Sequence, residues 1–333
     1  MNPIEANHRI DILDYLRGFA LLGIILVNIL PLLSVKTPAP HTINAEYQQF
    51  LYLFVEGRFY TIFSFLFGVG FYLFISRANE KGRNGTGMFL RRMIVLLLFG
   101  IVHARFHPGE ALSVYAICGL ILMPFYKAPK AVNLAFGMLM LIIFSFYSIK
   151  IIMPIPLMLL GISAGQYRVF ERIPHKKIKT VAVFTGITSV LSAFCLIYQY
   201  QFVPAVPFVS GEKIANRFLH IGITLGPIIS VSYVGLMIVF LRCPFFHIIL
   251  SPLKSYGRMA FTNYISQTVL ILLAGNWFHL FHAVTYIQSL FLCVCIYVFQ
   301  LLFSAIWLRF FRLGPLEWVW RMATYRQVLP LKR

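Results

Sequence analysis

Charged side chains are scarce in this sequence. Asp, Glu, Lys and Arg make up 12% of its 333 residues, whereas a soluble domain carries roughly 25%. Hydrophobic residues account for 59%, and the mean hydropathy is +0.80. Since a soluble chain cannot remove so much apolar surface from water, the composition excludes an ordinary soluble protein. It predicts a membrane protein with lipid as a partner.

Acidic residues and cysteines are also few. The chain has 10 Asp and Glu against 29 Lys and Arg, and its net charge is +19. Such a charge can attract nucleic acid, but the basic residues lie between apolar blocks rather than in one patch, so no nucleic-acid partner is expected. None of the 5 cysteines falls in a predicted outward loop, and Cys293 and Cys295 point to different sides of a helix. Neither a disulfide framework nor a metal site is expected.

Ten apolar stretches are candidates for membrane-spanning helices, which need about 20 mostly apolar residues. They cover residues 15–35, 52–76, 91–107, 110–126, 130–149, 151–167, 180–203, 217–241, 256–279 and 283–311. Most Lys and Arg residues then fall on one side of the membrane, and the positive-inside rule places both termini in the cytoplasm. The sequence predicts an all-α polytopic membrane helix bundle of about ten transmembrane helices, with one domain over residues 1–333.

The first apolar stretch, LDYLRGFALLGIILVN, contains polar residues that are costly in hydrocarbon. Asp14 and Arg17 are three positions apart on a helix and can form an ion pair. Asn28 lies 11 residues after Arg17, on nearly the same face and about 16 Å further along the axis. Gly18 and Gly23 allow another backbone or a ligand to approach closely. This polar stripe fits either a functional site or simple helix packing.

The third apolar stretch carries a histidine at a similar depth. His103 follows Arg92 by 11 residues, which again corresponds to about 16 Å from the inner boundary. His103 and His107 are four positions apart and could bind a metal together with Glu110. The Pro-Gly turn that follows His107 would interrupt the helix there, so a metal is not expected.

A third polar line lies in the segment GRMAFTNYISQT. Arg258 marks its inner end, and Asn263 and Gln267 are four positions apart on one helical face. Three polar stripes that enter from the cytoplasmic side and reach the middle of the membrane predict a cavity rather than lipid-facing surface. The alternative is that these side chains form hydrogen bonds between helices.

Four segments resemble the signature segments of the YeiB-like family of bacterial membrane proteins. They are RIDILDYLRGFALLGIILVN, FVEGRFYTIFSFLFGVGF, GRMAFTNYISQT and GPLEWVWRMATY. That family is grouped with transmembrane acyltransferases, including heparan glucosaminide acetyltransferase. The resemblance implies a multi-pass protein of the bacterial plasma membrane. It further implies transfer of an acyl group, such as acetyl, from cytoplasmic acyl-CoA to an extracytoplasmic acceptor such as an envelope sugar, and it suggests a homodimer.

The resemblance also implies roles for particular residues. Asn28 matches an Asn that acts at the thioester, where its amide could donate to the carbonyl oxygen. His41 is the matching general base, although the spacing differs, and His103 is the alternative. The predicted acyl-CoA site comprises Asp14, Arg17, Arg91, Arg92, Arg258, Asn263, Gln267 and Arg321. The residues predicted to orient the base or bind the acceptor are Glu56, Arg58 and Glu110.

Two other functional classes fit the same polar stripes. A transporter or flippase would use them to bind a substrate that crosses the membrane, and inverted repeats would support that function, but none is visible. A structural membrane protein with an unused pocket is the third class. A cavity that opens at the cytoplasmic side and reaches Asn28 is the feature that the enzyme hypothesis requires.

Overall fold

The computed structural model describes residues 10–173, 177–204 and 213–333. Within these ranges the protein is all-α and has no strand, which confirms the predicted class. The helices are α1 (Asp11–Leu32), α2 (Ile43–Phe50), α3 (Arg58–Glu80), α4 (Gly85–His103), α5 (Leu112–Ile121), α6 (Lys130–Phe146), α7 (Pro154–Gln166), α8 (Val169–Arg172), α9 (Ile178–Tyr200), α10 (Lys213–Arg242), α11 (Pro244–Arg258), α12 (Ala260–Trp277), α13 (Tyr286–Phe310) and α14 (Pro315–Tyr325). A π-helical turn over Leu51–Val55 joins α2 to the segment before α3.

Six stretches of the described residues are long and apolar enough to cross a membrane. They are Asp11–Leu32, Ile43–Glu80, Gly85–His103, Ile178–Tyr200, Lys213–Arg242 and Tyr286–Phe310. Three further predicted spans correspond to the shorter helices α5, α6 and α7, which have 10, 17 and 13 residues. The protein is therefore a multi-helix membrane protein, while the count of ten spans and the orientation of the termini stay predictions.

The predicted helix over residues 256–279 is divided in two. The chain leaves helical geometry at Met259, where α11 ends and α12 begins. Arg258 and Asn263 therefore lie on different helices, and the predicted single polar line through GRMAFTNYISQT was wrong on this point. Most of α11 and all of α14 were not predicted, because both helices are amphipathic and too polar to be recognised as spans.

Glycines bring the central helices into close contact. A Cβ atom on Gly257 of α11 would lie 1.8 Å from the carbonyl oxygen of Asp14 and 2.7 Å from the amide nitrogen of Gly18, both on α1. A Cβ atom on Gly68 of α3 would lie 2.0 Å from the Met158 carbonyl oxygen of α7. Only glycine permits such backbone approach, so these two crossings fix α1 against α11 and α3 against α7.

Candidate functional site

A cavity of about 1750 Å³ runs between α1 and α3. The two helices are antiparallel across it, since Arg17 lies beside Gly70 and the Phe59 ring lies against Gly23. Lining residues occur along nearly the whole length of both helices. Because α3 has 23 residues, it is about 35 Å long, and the hydrocarbon core of a bilayer is about 30 Å thick. The cavity therefore follows a helix that is long enough to cross a bilayer.

One end of the cavity, called the basic end here, is rich in cations. The lining cations are Arg17, Arg77, Lys81, Arg83, Arg92, Arg168, Lys254, Arg258, Arg312, Arg321 and Arg333. The acidic residues that line the same end are fewer, namely Asp11, Asp14, Glu80, Glu171 and Glu317. A concave surface with this excess of positive charge attracts anionic ligands.

Three arginines are grouped at the basic end. The Cζ atom of Arg92 lies 3.6 Å from the centroid of the Trp320 ring and 5.0 Å from that of Phe74. The Trp320 indole N–H donates to the Arg92 carbonyl oxygen at 2.9 Å. Arg17 and Arg321 are within electrostatic range of Arg92, and all three arginines line the cavity. A guanidinium held against aromatic rings is oriented in advance for bidentate contact with a phosphate.

The polar stripe of α1 faces this cavity. Arg17 Nη1 lies 3.1 Å from Asp14 Oδ1, so the predicted ion pair is present. Asn28 also lines the cavity, about 16 Å from Arg17 along the helix. Its side chain is partly buried and makes no hydrogen bond within the described residues. An amide without a protein partner in a cavity wall is available to a ligand.

The opposite end of the cavity, which we call the far end, is lined by the segments before α3, α5 and α7. Its charged residues are Glu56, Glu110 and Lys150. The Lys150 ammonium and the Glu56 carboxylate form an ion pair. Glu56 and Glu110 therefore lie at the end of the cavity opposite to the arginines, and their role in orienting the base or binding the acceptor stays a prediction.

His103 lies behind the wall of the far end. Its Nε2 atom is 2.9 Å from Thr268 Oγ1, and its Nδ1 atom is 3.7 Å from Glu110 Oε1. The His107 ring is stacked on it, with centroids 5.1 Å apart. The His103 side chain is buried and does not line the cavity, whereas Glu110 and Tyr264 beside it do. His103 can therefore affect a bound molecule through Glu110.

The Glu110 carboxylate also receives hydrogen bonds from the backbone at the start of α5. The N–H groups of Leu112 and Ser113 both donate to it, the latter at 2.9 Å. Burial alone would raise the pKa of Glu110, but these donors and His103 outweigh it, so the pKa lies below its usual range. Glu110 is thus a carboxylate at neutral pH, which suits binding of a hydroxyl or amine.

Asn263 and Gln267, which were predicted to bind acyl-CoA, instead belong to a buried hydrogen-bond network between helices. The Asn263 amide donates to the Tyr256 carbonyl oxygen at 2.9 Å and to Ser304 Oγ at 3.0 Å. The Gln267 amide donates to the Tyr256 hydroxyl at 2.6 Å, which donates to Gln300 Oε1 at 3.1 Å. Neither Asn263 nor Gln267 lines the cavity, and the network joins α11, α12 and α13.

Three further predicted residues lie away from the cavity. Arg58 is 1% exposed and donates to the carbonyl oxygen of Glu56 and to Gln199 Oε1, both at 2.6 Å. It therefore bridges α3 to α9. His41 is exposed on the segment before α2, and Arg91 is not among the lining residues. Among the described residues, no group of three or more His, Cys, Asp or Glu side chains could hold a metal ion.

Sequence reasoning did not single out Glu317, Trp320 or Phe59. Glu317 and Trp320 stand in the segment GPLEWVWRMATY, and Phe59 stands in FVEGRFYTIFSFLFGVGF. The available signal for a functional role was a carboxylate and two indole groups within the four consecutive residues EWVW. Only Arg321 of this segment was predicted to reach the site, because a polar segment after the last apolar stretch gives no signal that its other side chains contact a cavity.

These features define a class of protein, a helical membrane protein with a cavity that links a cationic end to a polar interior. Residues 9–175 match the family model described as heparan-alpha-glucosaminide N-acetyltransferase, catalytic, and residues 164–327 match the one described as protein of unknown function (DUF418). The chain belongs to the YeiB-like family, which is related to acyltransferases of the heparan-α-glucosaminide N-acetyltransferase type.

Three curated bacterial relatives span almost the whole chain. An uncharacterized 39.9 kDa protein in the amylase 3′ region of Bacillus acidopullulyticus is 57% identical, covering 99% of this chain and 98% of its own. YxaH of Bacillus subtilis (strain 168) is 26% identical, covering 100% and 98%. YeiB of Escherichia coli (strain K12) is 25% identical, covering 96% and 97%. No solved structure matches the chain significantly.

Proposed function

We propose that the protein is a transmembrane acyltransferase of the bacterial plasma membrane. It moves an acyl group, such as acetyl, from cytoplasmic acyl-CoA to an extracytoplasmic acceptor such as an envelope sugar. The observation that carries this proposal is one cavity that connects the grouped arginines to Asn28 and to the far end. The match to an acetyltransferase family model over residues 9–175 supports it.

The basic end fits the anionic part of an acyl-CoA. Arg17, Arg92 and Arg321 would form charge-assisted hydrogen bonds with its phosphates. By the positive-inside rule this end faces the cytoplasm, where acyl-CoA is found. The pantetheine arm would then follow α1 and α3 inward. The distance of about 16 Å from Arg17 to Asn28 is bridged by that extended arm, which ends at the thioester.

The transfer itself needs an oxyanion donor and a base. The Asn28 amide would donate to the thioester oxygen as negative charge develops there. The acceptor loses a proton from its O–H or N–H group as it forms the new bond to the carbonyl carbon. The C–S bond then breaks, and the CoA thiolate takes up a proton. Among the candidate bases, Glu110 backed by His103 lies at the cavity, whereas His41 is exposed outside it.

A transfer assay tests the proposal. Purified protein in lipid vesicles is incubated with labelled acetyl-CoA and a panel of sugar acceptors, and thiol release and acceptor labelling are measured. We expect Asn28→Ala to bind CoA normally and to lose about 10²-fold or more in transfer rate. Thiol release that is equal in the wild type and Asn28→Ala would refute the proposed mechanism.

A pair of neighbouring arginines tests the donor site. Arg92 lines the cavity and contacts two aromatic rings, and Arg91 beside it does not line the cavity. Lysine cannot replace a stacked, bidentate guanidinium, so we expect Arg92→Lys to raise the Kd for CoA by about tenfold or more, which equals roughly 1.4 kcal/mol. Arg91→Lys should leave it unchanged. Equal affinities in both variants would contradict the assignment.

A transporter is the second candidate, because the cavity reaches both ends of the bundle. The same vesicles separate the two functions. An acyltransferase transfers the label to an acceptor while CoA stays outside the vesicle, whereas a transporter moves an unmodified molecule into the lumen. Lumenal accumulation of intact substrate without thiol release would favour transport.

A further inference from the structure

Two signature segments, GRMAFTNYISQT and GPLEWVWRMATY, meet at the basic end, where Glu317 contacts Thr262 although the two residues are 55 positions apart in the sequence. We infer that Glu317 and Thr262 are positioning residues for the acyl-CoA site, acting through α14. This inference rests on the proposed function for the identity of the ligand. The contact between the two side chains is called the clasp here.

The clasp is a helix cap supplied by another helix. Glu317 Oε1 accepts from the N–H groups of Phe261 at 2.8 Å and Thr262 at 3.1 Å, and Glu317 Oε2 accepts from the Thr262 hydroxyl at 2.5 Å. In return, the Leu316 N–H donates to Thr262 Oγ1 at 3.1 Å. Since the cap residue Met259 makes no side-chain hydrogen bond, Glu317 satisfies the free amides at the start of α12.

The carboxylate has little room to move. A Cβ atom on Gly314 would lie 2.2 Å from Glu317 Oε2 and 3.0 Å from Thr262 Oγ1. Pro315 then starts α14 at a position where proline is favoured. Burial raises the pKa of Glu317, against the opposing effect of its hydrogen bonds. The segment GPLE therefore fixes both the start of α14 and the place where its carboxylate meets α12.

The orientation of α14 determines which side chains reach the cavity. Trp320 and Arg321 line the basic end. The Trp320 ring packs on Phe261, with centroids 5.1 Å apart, and also contacts Arg92. In the described part of the chain, the side-chain hydrogen bonds of the Glu317 carboxylate all go to α12, although the carboxylate is within electrostatic range of Arg92. Glu317 thus aligns the cationic groups without neutralising them by direct contact.

Donor affinity tests the clasp. The probe is CoA without an acyl group, and its Kd is measured by calorimetry for the wild type, Glu317→Gln, Thr262→Val and Thr262→Ser. We expect Kd to rise by about tenfold or more in the first two variants. Thr262→Ser keeps the hydroxyl and should bind like the wild type, which a change of packing alone would not predict.

A buried hydroxyl elsewhere on the same helix interface is the matched control. Ser304 of α13 is fully buried and bonds to Asn263, the residue next to Thr262. Ser304→Ala should lower the melting temperature by an amount similar to Thr262→Val while leaving the Kd for CoA unchanged. A parallel loss of affinity in Ser304→Ala would show that general destabilisation explains the effect, and would overturn the inference.

A distance measurement separates this inference from the proposed function. Spin labels are attached at Leu90→Cys of α4 and Val319→Cys of α14, two exposed sites, with Cys243 and Cys295 replaced by serine. Glu317→Gln should broaden the distance distribution between the helices. If wild-type protein binds no CoA but the distribution broadens, the proposed function fails and the positioning role stands. An unchanged distribution together with unchanged Kd overturns the inference.

Discussion

A single methyl group at the crossing of α1 and α11 should disturb both stability and donor binding. In Gly257→Ala, the new Cβ atom would lie 1.8 Å from the Asp14 carbonyl oxygen. Ordinary contact begins at 3.4 Å, so the backbones must separate by 3.4 − 1.8 = 1.6 Å. The obstacle is the backbone of a central helix, which cannot rotate away as a side chain can.

The loss of stability in Gly257→Ala follows from the rigidity of the contact between α1 and α11. Overpacking a well-packed interface costs about 1–3 kcal/mol, and the separation also displaces Asp14 and its ion-pair partner Arg17 from the cavity wall. One kcal/mol corresponds to about 2–4 °C in Tm for domains of 150–250 residues. We therefore expect Gly257→Ala to lower Tm by several degrees and to weaken CoA binding.

Gly186 provides the matched control, because it lies in helix α9 and a Cβ atom added to it would meet no atom within 4 Å. Gly186→Ala should raise stability by about 0.5–1 kcal/mol through the loss of backbone entropy in the unfolded chain. Both variants are compared with the wild type by thermal unfolding in detergent and by CoA titration. If Gly257→Ala is as stable as Gly186→Ala, the close crossing of α1 and α11 is refuted.

Two further predictions concern buried polar groups. Gln199→Ala removes a hydrogen-bond acceptor from the buried Arg58 guanidinium. The free energy of unfolding should therefore fall by about 1–3 kcal/mol, while the affinity for CoA stays unchanged. An unaltered Tm would contradict the bridge between Arg58 and Gln199. Burial, and then the adjacent His103, lower the pKa of His107 to about 4, below its usual value of about 6.5. Its contribution to stability is therefore complete above about pH 6.5 and lost as pH falls toward 4. Between pH 6.5 and pH 4, Tm should fall less in His107→Phe than in the wild type. Equal slopes of Tm against pH in the two proteins would refute this prediction.

The general class of the fold could be predicted because lipid imposes a strong compositional pattern. Long apolar runs identified α1, α3, α4, α9, α10 and α13 directly. Amphipathic helices carry no such signal, and this is why α11 and α14 were missed. The break at Met259 was also hidden, because the helical apolar pattern continues after it through Ala260 and Phe261 and no proline marks the position.

For the candidate site, the sequence could predict only which residues share a face of one helix. Asp14, Arg17 and Asn28 share one helix, so periodicity alone placed them on one wall. Asn263 and Gln267 satisfied the same spacing rule, yet they bond to neighbouring helices. Spacing along one helix shows which side chains share a face, whereas the neighbour of that face is set by tertiary packing.

The cavity also explains why α1 tolerates charged and amide groups. A charge that faces lipid is costly, but one that faces a polar cavity keeps hydration or a partner. Asp14 is buried and paired with Arg17, whose side chain stays 29% exposed toward the cavity. The same helix presents apolar residues such as Leu16 and Ile25 to the core, where both are 0% exposed. The polar stripe is therefore compatible with the bundle because the cavity lies along it, and Gly70 of α3 leaves space for the Arg17 guanidinium, whose Nη2 atom would lie 3.3 Å from a Cβ atom at that position.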